Sequence, residues 1–125
     1  MSGHDNQSRL AAGAVELLSV TRFLGELRRV ARYGRPLPVG DPLAAAIRRI
    51  ENSPTLAQSR LLARILTALT HQQGEFRRAE VAALDSETLA MVIALMDLHA
   101  AGTSPGEDWV RAVDAAKLAE LGAGG

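Results

Sequence analysis

The side chains that could do acid–base or metal chemistry in this chain are three histidines, fourteen carboxylates and fourteen cationic groups, and it contains no cysteine. Without a thiol there can be no disulfide, no thiolate zinc site and no sulfur nucleophile. The histidines are His4, His71 and His99. His4 stands in a polar N-terminal stretch. His71 is expected at a helix end, where a cation complements the dipole. His99 follows Asp97 by two positions, so on a helix the two side chains point about 200° apart and do not share a face. Neither a His-x-x-x-His nor a carboxylate-x-x-His pattern occurs, so no metal site and no cofactor is expected. G-x-S-x-G, S-x-x-K and a phosphate-cradling glycine loop are also absent. Glu75, Glu80, Asp85, Glu87 and Asp97 can form acid–base pairs only if the fold gathers them. The expectation is a protein that is not an enzyme.

Arginine is the other reactive feature. Lys117 is the only lysine. Doublets occur at Arg28-Arg29, Arg48-Arg49 and Arg77-Arg78, without a period. The densest run is Arg22, Arg28, Arg29, Arg32 and Arg35. Guanidinium forks bind carboxylates and phosphates well, so Arg28, Arg29, Arg32 and Arg35 form the candidate partner or anion patch. The plainer account is a helix C-terminus, which favours cations, with Glu26 spaced to pair with Arg22 and Arg29.

These residues sit in a chain of 125, with a hydrophobic fraction of 47% and a charged fraction of 22%. That is one globular domain, not a disordered segment. The net charge is zero, so no global field draws it to nucleic acid or an anionic membrane. Charge is nevertheless divided: residues 1–78 hold 12 basic and 6 acidic side chains, and residues 79–125 hold 2 and 8. The halves can attract each other within one fold or between chains. No secretory signal or membrane span is evident, so a cytoplasmic location is expected. Arginine-, alanine- and glycine-heavy usage suggests a GC-rich bacterial source.

The fold class expected is all-α, a single bundle of about five helices across residues 8–121, with loose tails at 1–7 and 122–125. Asp41-Pro42, Ser53-Pro54 and Ser104-Pro105 each put a capping side chain before a proline suited to the first helical position. Glu107 would complete a capping box with Ser104. The spacing predicts helices over about 8–33, 42–52, 54–72, 86–101 and 105–121, with a weaker turn over 76–84 and no strand of length. In the first, Leu10, Ala14, Leu17, Thr21, Leu24 and Ala31 recur near helical period, widened by Val15, Leu18, Phe23 and Val30. Leu62, Ile65, Leu66 and Leu69 mark the inner face of the third. Trp109, Val113, Ala116 and Leu121 mark the fifth. The helix over 86–101 differs from all of these. From Leu89 it reads LAMVIALMDLHAA, polar only at Asp97 and His99. A helix without a polar stripe must be covered on most sides, by other helices or by a second copy.

The stretch AQSRLLARILTALTHQQGEFRRAEVAALDSETLAMVIALMDLHAAGT, about 57–103, resembles the three-helix core of helix-turn-helix regulators. The resemblance implies a nucleic-acid-binding regulator whose entering helix begins at Asp85, Ser86, Glu87 and Thr88. Two of those four are acids, where phosphate and base contacts call for Arg, Lys, Asn or Gln. The leading expectation is therefore a non-catalytic helical interaction module, self-associating as a homodimer or serving as a small accessory or adaptor protein. Its partner is expected to be a protein or a second copy, and not a membrane. Trp109 and Phe23 are the largest anchors available to such a contact, or to the core.

Overall fold

A computed structural model describes residues 16–31 and 40–124. Among them are six helices and one two-stranded ribbon: β1 (Leu17–Leu18), α1 (Val20–Ala31), α2 (Pro42–Asn52), α3 (Ala57–His71), β2 (Phe76–Arg77), α4 (Arg78–Ala83), α5 (Ser86–Ala101) and α6 (Gly106–Gly124). The fold is all-α, as the periodicity requires.

The first helix departs most from its expected course. Within the described residues it starts at Val20 and not upstream, because Leu17 and Leu18 are extended and pair antiparallel with Arg77 and Phe76. The Arg78 N–H extends the ribbon by donating to the Glu16 carbonyl at 2.8 Å. Ser19 then opens the helix, its hydroxyl accepting from the Arg22 N–H at 3.2 Å. This break resets the helical phase. The buried face is Val20, Phe23 and Leu27, with Leu24 and Ala31 beside it, while Leu17 and Val30 are exposed. Leu10, Ala14 and Val15 lie outside the described residues.

The proline starts divide. Asp41 caps α2 as expected, accepting from the Leu43 N–H at 3.2 Å. At Ser53-Pro54 the chain makes a turn instead: the Leu56 N–H reaches the Ser53 carbonyl at 3.2 Å, and α3 starts at Ala57 with no side-chain cap. The last helix starts at Gly106, after a turn in which the Asp108 N–H meets the Pro105 carbonyl at 3.0 Å. Neither Ser104 nor Glu107 makes the expected box among the described hydrogen bonds. Asp85 caps α5 through the Thr88 N–H at 2.7 Å. The helix ends also hold a surprise: Gln72, not a glycine, takes the left-handed conformation after α3 (φ 56°), and Gly102 takes it after α5.

The core confirms the reading of α5. Thr88, Met91, Val92, Ile93, Leu95 and Met96 are buried right round the helix, against α1, α2 and α3. Leu62, Ile65, Leu66 and Leu69 of α3 are buried as their spacing requires. α6 packs on α2 and α3, so those two helices share the centre with α5. Trp109 links α6 to α5, its ring standing edge-on to His99 at 5.1 Å between centroids. Phe23 and Trp109 are both core residues. α6 also continues three residues past the expected stop at Leu121.

Candidate interaction surface

The expected arginine patch is in part neutralised by the fold. Arg28 donates to Asp97 Oδ1 at 2.8 Å, and Arg29 lies 3.8 Å from Glu26. Arg22 turns to Glu16 at 3.8 Å and not to Glu26, because β1 brings Glu16 beside the first turn of α1. Arg32 and Arg35 lie outside the described residues. Arg49 reaches both acids at the start of α5, Asp85 at 3.4 Å and Glu87 at 3.1 Å. Arg64 pairs with Glu80 and also donates to the Glu75 carbonyl at 2.7 Å. Glu80, Asp85, Glu87 and Asp97, half of the acids of residues 79–125, thus meet arginines of residues 1–78 inside one fold.

Those contacts leave their mark on the carboxyls. For Glu16, the Arg78 guanidinium, donating at 2.7 Å, holds the carboxyl below its ordinary range. Burial pulls Glu80 upward, but Arg64 and the Arg77 N–H outweigh it and the net shift is down. Asp85 is held down first by the Thr88 N–H, against a smaller opposing pull from burial, with Arg49 adding to the lowering. A general acid at neutral pH needs a raised carboxyl; these three are all lowered, so each behaves as a fixed anion in an ion pair or cap.

The histidines stay apart. His71 is exposed at the end of α3, and His99 is half-buried against Trp109; His4 lies outside the described residues. Asp97, one turn from none of them in a shared direction, is occupied by Arg28. Among the described residues no three histidines, aspartates or glutamates are placed to hold a metal ion. The surface depressions are open and of mixed charge. One of about 380 Å³ between α2 and α5 places Arg48 and Arg49 with Glu87, Asn52 and Met91. Another, of about 300 Å³, joins Arg60 and Arg64 to Pro54 and Glu120.

What stands out is the outer side of α6. Its inner side is fixed in the core by Trp109, Ala112, Val113 and Ala116. Its outer side carries Val110, Leu118 and Leu121, which are 42%, 69% and 72% exposed. Leu121, grouped by spacing with Trp109, Val113 and Ala116, stands outward instead, because it lies on the Val110 side of the helix while the inner side continues through Ala119. Asp114 and Lys117 lie on the same outer side, both exposed. Arg111 flanks it, 3.5 Å from Glu107 and 3.9 Å from Asp108. The stripe has a signal in the sequence: Val110, Asp114, Lys117 and Leu121 follow one another by 4, 3 and 4 positions, a second seam offset from the core seam.

α5, by contrast, offers no such face. Its residues 88–96 are enclosed, and its leading turn presents Ser86 and Glu87 beside Arg49. No protein-family model matches the chain, and no curated protein or solved structure matches it.

Proposed function

We propose that this chain is a non-catalytic helical module for protein–protein interaction, which self-associates or acts as a small accessory protein, and that the outer side of α6 is its contact surface. The observation that carries the reading is the pair Leu118 and Leu121, each about seven-tenths exposed on a helix whose other side is anchored by Trp109 and Val113. Single exposed leucines are ordinary, but two on adjacent turns of one helix, with Val110 beyond Asp114 and Lys117 on the same side, make an amphipathic strip of the kind that contacts use. Most described arginines, Arg48 and Arg60 apart, are ion-paired within the fold, and the other exposed leucines, Leu17 and Leu56, lie in separate elements, whereas α6 gathers three exposed apolar side chains on one helix.

The test compares the parent chain with a Leu118→Ser, Leu121→Ser variant by sedimentation velocity over a wide concentration range. The reading expects the parent's mean mass to rise with concentration and the variant to remain monomeric with an unchanged melting temperature. A parent that stays monomeric at every concentration contradicts self-association. A variant that associates as the parent does removes the strip from the contact.

A further inference from the structure

The outer strip of α6 carries its own complement. Val110, Asp114, Lys117 and Leu121 occupy alternating d and a positions of a heptad, and all four are exposed. In an antiparallel helix pair each a position of one helix meets a d position of the other. A two-fold axis passing between Ala115 and Ala116 therefore sets Val110 against Leu121 of the second copy, and Asp114 against Lys117 of the second copy. Two-fold symmetry repeats both contacts. The apolar residues meet at the two ends of the seam, and opposite charges meet at its middle. A parallel pair would do the reverse at the middle, setting Asp114 on Asp114 and Lys117 on Lys117. From this self-complementarity we infer that the occupant of the α6 strip is a second copy of the same chain, docked antiparallel through α6 in that register.

This inference rests on the reading of α6 as the contact face and adds the partner, the orientation and the register. Charge supplies the orientation. Like charges placed together across a contact are strongly unfavourable, whereas the antiparallel register brings every charged seam residue to its opposite. Leu118 flanks the seam and widens its apolar part. One helix from each copy buries less than a standard interface of about 1,600 Å² in total, so the dimer is a weak, reversible one.

The natural absence of cysteine makes a direct test available. Full-length Val110→Cys and Leu121→Cys chains are oxidised separately and as an equal mixture. In the inferred register residue 110 of one copy lies beside residue 121 of the other, while the two copies of residue 110 are about 16 Å apart along the axis. That is beyond the reach of a disulfide, whose Cα atoms stand within about 7 Å. The mixture should cross-link and neither chain alone should. In parallel, Asp114→Lys or Lys117→Asp alone should weaken dimerisation about tenfold or more, and the two together should restore it. Efficient self-cross-linking by either single-cysteine chain, or charge variants that dimerise as the parent does, would overturn the register while leaving self-association intact. A parent chain that is monomeric throughout overturns both.

Discussion

The rings of Phe23 and Phe76 lie stacked, 4.0 Å between centroids and 6° from parallel, although 52 residues separate them. Both are fully buried. Phe23 belongs to α1 and Phe76 to β2, so the stack fastens the N-terminal segment to the ribbon that precedes α4. Arg64 reaches over from α3, its guanidinium carbon 4.9 Å from the Phe76 ring centre, close enough for a cation–π contact. Three elements that are distant in sequence meet at one side chain.

Phe76→Ala is therefore expected to cost about 3–5 kcal/mol of unfolding free energy, as deletion of a buried phenylalanine does. Phe23→Ala should cost a similar amount. The double variant should lose less than the sum, by about 1 kcal/mol, because each single change already destroys the stack. Urea unfolding of the four proteins measures this. Strict additivity would show that the rings contribute area and nothing through their pairing.

Ser59 presents the opposite case. Its hydroxyl is buried in α3 and has no hydrogen-bond partner among the described residues. An unpaired buried hydroxyl is unfavourable, and alanine fits the same space. Ser59→Ala should raise stability by up to about 1 kcal/mol, read as a higher urea midpoint at unchanged slope. A loss of stability would mean that the hydroxyl is satisfied.

Acid should loosen the fold through Glu80. Its carboxyl sits below the ordinary value of 4.5, since Arg64 and the Arg77 N–H at 2.8 Å outweigh the upward pull of burial. A depressed carboxyl adds stability that is fully present above its unfolded value and disappears as pH falls through its folded one. Stability should hold steady from neutral pH to about 5, then decline below about 4.5. Glu80→Gln should lower stability at pH 7 by about 1 kcal/mol, a modest figure because Arg64 is nearly half exposed, and should make the acid limb shallower. An acid limb unchanged by the substitution would assign the pH dependence to Asp85 and Glu16.

The parts of the fold that were legible in the sequence are those set by local rules. Asp41-Pro42 and Asp85 mark real helix starts because capping is settled within three residues. The covering of α5 follows from having no polar stripe, which no arrangement of neighbours can alter. The misses are tertiary. Leu17 and Leu18 fit a helical period, but the chance to pair with Phe76 and Arg77 wins, and no local pattern around position 17 announces a strand that far away. Ser53-Pro54 satisfies the rule for a helix start yet forms a turn that separates α2 from α3. Arg28 looked free for a partner because Asp97, its actual counter-ion, lies 69 positions on. Leu121 falls at a helical interval from the core residues of α6 but lies about 120° round the helix from Trp109, on the exposed side with Val110.

An NMR dilution series on the unmodified chain bears most directly on the claim that the outer side of α6 is the contact surface. Amide and methyl shifts of 107–122, led by the Leu118 and Leu121 methyls, should move progressively with concentration, while those of the enclosed residues 88–96 of α5 stay fixed. Shifts that remain constant at every concentration, or that move on another face, would contradict it.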